Sequence, residues 1–230
     1  MSHQELDVPD SIKSELLSFI QLAITRGTPS HSDDLGIIPE PYSYPTPSRM
    51  FSMAEVPMDS LVGRIVHDGY DPNPQELAQL LSVAAKDVFA AYALGTIALG
   101  CTGRDRSQSE AYFWVSHCAL RGVREAFRLL GQDMLSPAGL NDPGRAYPYL
   151  IQAALFGDMQ ACAMLGDFFL RGIFYEKNER VGYSWHLRGA ESGSLYSMRK
   201  VIGCLEAGRG TACDHLELEK WRQRLAAKMS

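Results

Sequence analysis

The stretch YPYLIQAALFGDMQACAMLGDFFLRG, residues Tyr147 to Gly172, decides how this chain folds. It is apolar, yet Gly157, Asp158 and Gly166 interrupt it well short of the run of eighteen or more apolar residues that crosses a bilayer. It also carries no catalytic signature. Its distinctive feature is the density of small residues, with Ala153, Ala154, Gly157, Ala161, Ala163 and Gly166 set among large apolar ones. Small residues in a helical pattern let two helices approach closely.

The same arrangement recurs along the chain. The aromatic residues Trp114, Tyr149, Trp185 and Trp221 are spaced 35, 36 and 36 apart. Gly95, Gly131 and Gly166 are spaced 36 and 35, and Gly122, Gly157 and Gly193 are spaced 35 and 36. Three series sharing one period mark a repeat architecture. Each unit reads as two helices. The first is exemplified by FAAYALGTIALG, REAFRLLGQDML and QACAMLGDFFLRG; the second is centred on the aromatic, as in EAYFWVSHCALRG, AYPYLIQAALFG and VGYSWHLRGAESG. The opening stretch is therefore the second helix of one hairpin, a turn, and the first helix of the next. A glycine inside a helix costs about 1 kcal/mol relative to alanine, so its recurrence at 95, 131 and 166 implies a packing role. Gly122, Gly157 and Gly193 fit the left-handed residue that ends a helix.

This pattern resembles the Sel-one-like repeat (SLR), a relative of the tetratricopeptide repeat with units of about 36 residues. The resemblance rests on Ala90, Tyr92, Leu94 and Gly95; on Ala126, Leu130 and Gly131; and on Ala161, Leu165, Gly166 and Gly172, each followed by its aromatic and closing glycine. The last unit keeps Gly208, Gly210, Trp221, Ala226 and Ala227 but has Val201 and Ile202 in place of Leu-Gly, as a degenerate cap would; upstream, Gly63, Gly69, Ala84 and Ala85 make a first unit. Arg128 and Arg199, where a first-helix tyrosine is expected, and Pro148 inside a second helix depart from the pattern. The resemblance implies an all-α fold, an α-solenoid of about five antiparallel helix-turn-helix units over 51–230, with approximate boundaries 54–88, 89–122, 123–157, 158–193 and 194–230.

Residues 1–50 stand outside the repeat. Ser11 to Arg26 reads as an amphipathic helix with Ile12, Leu16, Phe19, Ile20 and Ala23 on one stripe, long enough to dock on the first hairpin. A proline-rich arm follows, in which Ile37, Ile38, Tyr42 and Tyr44 are available to fold back on the repeats or to engage a partner.

Composition excludes several functions. With 22 basic against 27 acidic residues and a net charge of -5, the basic residues being scattered, there is no footprint for a phosphate backbone, so nucleic acid is not an expected partner. The N-terminus lacks the features of a signal peptide, and no membrane span is expected. Five cysteines without C-x-x-C spacing suggest reduced thiols and a cytoplasmic location. No phosphate loop, nucleophile elbow or zinc signature occurs. Cys213, Asp214 and His215 read as an inter-helix turn, as do Asp68, Asp71 and Asn73, which lack the spacing of a calcium loop. No cofactor or metal is expected.

A stack of hairpins exposes a concave surface built mostly from its first helices. Positions there not used by the core pattern are Arg64, Phe89, Thr96, Glu125, Gln132, Gln160, Asp167, Arg171 and Tyr196, a mixed polar and aromatic set suited to a protein or peptide partner. The leading expectation is a non-enzymatic bacterial adaptor or scaffold. The alternatives are an immunity protein that blocks a cognate toxin, and a hydrolase with a dispersed site around Cys101, His117 or His186.

Overall fold

The computed structural model describes residues 51–229, except 106, 138 and 140. The amphipathic segment Ser11 to Arg26 and the proline-rich arm lie outside the described residues. Ten α-helices follow a short 3-10 turn at Met53–Glu55: α1 Leu61–Asp68, α2 Pro74–Val83, α3 Val88–Ala98, α4 Gln108–Leu120, α5 Arg124–Leu135, α6 Pro143–Leu155, α7 Met159–Arg171, α8 Glu179–Glu191, α9 Leu195–Ala207 and α10 His215–Met229. Among the described residues the only β-type pairing is an isolated bridge between Phe51 and Val123. The described chain divides into two compact units, Phe51–Val123 with α1 to α4 and 124–229 with α5 to α10.

Local chemistry sets the helix boundaries. Asp87, Asp158 and Ser194 precede the first helices α3, α7 and α9, and each side chain accepts backbone N–H groups of the first turn; Asp158 Oδ1 takes those of Gln160 at 2.8 Å and Ala161 at 2.9 Å. Asn73, Asp142 and Asn178 cap the second helices α2, α6 and α8 in the same way. These caps satisfy N–H groups that have no partner inside the helix. The turns from second to first helix pass through Gly157 and Gly193 at φ 86° and 103°, a conformation in which a side chain is strained. Helix α6 continues through Pro148, the departure noted in the sequence.

Inside three hairpins, α3 with α4, α5 with α6 and α7 with α8, a mid-helix glycine of the first helix receives a large side chain of the second. A Cβ on Gly95 would stand 2.6 Å from Val115 Cγ2. On Gly131 it would meet Leu150 Cγ and Cδ2 at 2.7 Å, and on Gly166 the His186 ring at 2.6 Å. Real atoms do not come this close, so at all three positions the absence of a side chain sets the helix separation. The aromatic series is also buried throughout: Trp114, Tyr149, Trp185 and Trp221 are 8%, 5%, 6% and 4% exposed. Trp221 packs with Ala190, Met198, Val201, Leu205 and Leu218, closing the core between α8, α9 and α10.

Gly203, in α9, has nothing within 4 Å of where its Cβ would lie. The two kinds of glycine should respond oppositely to alanine. Gly95→Ala should destabilise by ~1–3 kcal/mol, because stiff, β-branched Val115 cannot yield. Gly203→Ala should stabilise by up to about 1 kcal/mol through helix propensity. Urea denaturation of both variants checks this, and a gain in both would remove the packing role of Gly95.

Candidate functional site

The nine candidate contact residues have separate fates. In the first unit, Arg64 pairs with Glu76 at 3.4 Å and lies 4.3 Å over the Tyr70 ring, while Tyr70 donates to the same carboxylate at 2.9 Å, tying α1 to α2. Phe89 is half-buried, edge-on to Phe51 at 5.8 Å. Thr96 is buried, and its hydroxyl donates to the Ala93 carbonyl at 2.8 Å, so this candidate faces the core rather than solvent.

In the second unit the candidates converge. Glu125 is half-buried beside Arg124 at 3.5 Å. Arg128, one of the departures from the repeat pattern, donates to Asp158 at 3.0 Å and to Gln132 at 2.7 Å, and the Gln132 amide reaches Met164 Sδ at 3.3 Å, linking α5 to α7. Gln160 and Arg171 are exposed at the two ends of α7. Between them, Asp167 joins α7 to α9: its Oδ2 accepts from the Tyr196 hydroxyl and its Oδ1 lies 3.1 Å from Lys200 Nζ. The Lys200 ammonium also sits 5.0 Å from the centre of the Tyr196 ring, which is 44% exposed.

His186 lies beneath this group. It is 0% exposed, its Nε2 is 3.5 Å from Asp167 Oδ1, and neither ring nitrogen has a hydrogen-bond partner among the described residues. In the repeat register it occupies the position filled by Val115 and Leu150, and its ring packs on Gly166 as theirs pack on Gly95 and Gly131. A polar ring thus takes an apolar slot directly below the one first-helix carboxylate shared by Tyr196 and Lys200.

Electrostatics follow from this arrangement. Partial burial pushes the Asp167 carboxyl upward, but the Tyr196 hydroxyl and the Lys200 ammonium outweigh it and hold the group below the usual carboxylate range. Burial would lower Lys200, yet its contacts with Tyr196 and Asp167 leave it raised. Asp167 and Lys200 therefore form an ion pair at neutral pH. Burial drives His186 down to about 4, against the pull of Asp167.

Lys200 is not among the residues singled out by sequence, and His186 is named there only for a dispersed hydrolytic site, not for a contact surface. The repeat register could have flagged His186, since it is the odd member of Val115, Leu150 and His186. Lys200 carries no comparable signal, because its partner is 33 residues away on another helix. Around the candidate hydrolytic residues, Cys101 is exposed, whereas His117 is buried with Nε2 unpaired and is pushed to about 4 by burial. Burial raises the Cys118 thiol strongly and pushes Cys162 up to about 12, the opposite of what activates a nucleophile. Among the described residues no three His, Cys, Asp or Glu side chains are grouped to hold a metal ion.

The two buried histidines set a pH dependence. In the unfolded chain a histidine takes up its proton near pH 6.5, whereas folded His117 and His186 resist until about 4. The unfolded state therefore binds more protons in that window, and stability falls as pH drops from about 6.5 to about 4, by up to about 3 kcal/mol for each histidine. His186→Leu, which places the side chain of Leu150 in this slot, should show a smaller fall in urea midpoint between pH 7 and 5. An unchanged pH slope would mean that the ring is already solvated or paired.

No family model matches the sequence, and no curated protein matches it. Solved structures do match. One is a protective antigen present in uropathogenic Escherichia coli strains and displaying an SLR fold, with a TM-score of 0.57 and 21% identity over 70% of this chain and 34% of that one. Another is a Sel1 repeat protein from Oxalobacter formigenes, with a TM-score of 0.59 and 19% identity over 69% of this chain and 47% of that one. The chain thus spans between a third and a half of the length of these structures. The matches establish the fold: an all-α helical repeat of the SLR kind, α-solenoid in class.

Proposed function

We propose that this chain is a non-enzymatic interaction scaffold that holds a protein or peptide on the first-helix face of its second unit. The observation that carries this reading is the Asp167, Tyr196 and Lys200 group set over His186. A chain selected for stability alone would keep an apolar residue at position 186, as at Val115 and Leu150, since burying an unpaired polar ring is costly. Polar groups retained against that cost, beside a half-exposed tyrosine, have the character of an interaction hot spot. Gln132, Gln160 and Arg171 flank the group on α5 and α7 and complete the proposed surface. Arg64 and Phe89 lie in the other unit, Thr96 is buried and Glu125 is half-buried beside Arg124, so the proposed surface is built without these four.

SLR-fold neighbours support an interaction scaffold, and helical repeats in general present extended binding surfaces rather than catalytic centres. The five unbridged cysteines, three of them buried, suit a reducing compartment. Among the described residues no helix is long and apolar enough to cross a membrane.

Site-specific photo-crosslinking tests the proposal. A benzophenone side chain at position 160 should capture one defined protein, while the same group at exposed position 219 on α10 should not. Against that protein in purified form, Tyr196→Ala and Asp167→Ala should each weaken binding by roughly tenfold without loss of helix content. Equal capture from both positions, or affinities within about twofold of the parent, would overturn the proposed surface.

A further inference from the structure

Resting on that reading, we infer that the partner offers this face an acidic segment, recognised through Arg171 and Arg199. The inference comes from which charges on α5, α7 and α9 are already matched. Glu125 lies against Arg124 at 3.5 Å, Asp158 against Arg128 at 3.0 Å, Asp167 against Lys200 at 3.1 Å and Glu206 against Arg222 at 2.6 Å. Asp133 is buried. Two guanidiniums remain. Arg171 has no ion-pair or hydrogen-bond partner among the described residues, and Arg199 meets only Met229 Sδ, at 3.8 Å. Both are exposed.

Their placement concentrates the excess. Arg171 stands one helical turn beyond Asp167 on α7, and Arg199 is the neighbour of Lys200 on α9, three residues after Tyr196 and four before Gly203. Two exposed guanidiniums without a carboxylate partner among the described residues thus flank the Asp167 group, in a chain whose net charge is -5. Gly203 adds a further condition: with nothing within 4 Å of its missing Cβ, the α9 backbone is bare at this point and open to close approach. His186, buried and unpaired below Asp167, is an independent sign that this group is not shaped by packing alone.

The chemistry of recognition follows. Carboxylates of the incoming segment pair with the Arg171 and Arg199 guanidiniums, whose planar forks match a carboxylate in a bidentate way. The exposed Tyr196 ring, with Leu195 36% exposed beside it, takes an apolar side chain of the same segment. Asp167, neutralised by Lys200, adds little repulsion.

Fluorescence anisotropy with a labelled decaglutamate peptide, with decalysine as control, tests the inference on the full chain. Decaglutamate should bind, decalysine should not, and binding should weaken severalfold between about 50 and 300 mM salt. Arg171→Glu with Arg199→Glu should reduce affinity at least tenfold while circular dichroism and urea midpoint stay unchanged, and the Arg171→Lys and Arg199→Lys pair should retain most of it. Absence of decaglutamate binding, or binding indifferent to charge reversal, would overturn the inference. A crosslinked partner whose affinity depends on Tyr196 but not on the two arginines would leave the scaffold reading standing and remove the acidic segment. The same assay tests one other source of acidic side chains, the chain's own Asp33, Asp34 and Glu40. If Asp33→Asn, Asp34→Asn and Glu40→Gln together tighten decaglutamate binding by more than about tenfold, the face belongs to this chain's own arm and not to a partner.

Discussion

The fold depends on one contact made three times: a glycine in the middle of a first helix against a large side chain of the second, as in Gly131 and Leu150. Without a Cβ on the first helix, the two backbones approach until the partner side chain fills the space, and the hairpin takes a fixed separation and register. That register carries the rest of each hairpin with it. The aromatic residues of the second helices, Trp114, Tyr149 and Trp185, are buried alongside that contact. In α5 and α7 the residue after that glycine, Gln132 and Asp167, stays only half-buried.

The same constraint explains why the third of these contacts differs in kind. His186 fills the slot of Val115 and Leu150 without disturbing the separation, because its ring lies on Gly166 much as Leu150 lies on Gly131. The exchange changes the electrostatics above it. A buried neutral imidazole lies 3.5 Å from a carboxylate that is itself held by a tyrosine and a lysine of the next first helix. Repeat packing and surface chemistry are thus joined at Asp167, one residue after the packing glycine.

Much of the fold was legible because its cause is periodic. A mid-helix glycine is costly unless something packs on it, so glycines recurring at a spacing of 35 or 36 announced the hairpins, and the second series at Gly157 and Gly193 announced the turns. The candidate surface was legible only in part. Asp167 and Tyr196 could be placed on exposed stripes by register, but their joining through Lys200 spans 29 and 33 residues and leaves no local trace. Thr96 shows the converse: it corresponds to Asp167 in register, yet the first unit buries it and satisfies its hydroxyl within its own helix. Arg64 was readable as polar and exposed, though not as the partner of Glu76 twelve residues on. Pairing across helices depends on how each is turned about its axis, which a one-dimensional pattern does not encode.

The central claim is that the missing Cβ at the glycine contact fixes the hairpin. A double-mutant cycle between Gly131→Ala and Leu150→Ala, followed by urea denaturation, addresses it directly. The account predicts that Gly131→Ala is destabilising by ~1–3 kcal/mol when Leu150 is present and becomes neutral or favourable once Leu150 is truncated, since the clash at 2.7 Å is then gone and helix propensity prevails. Additive effects, with Gly131→Ala stabilising in both backgrounds, would contradict it.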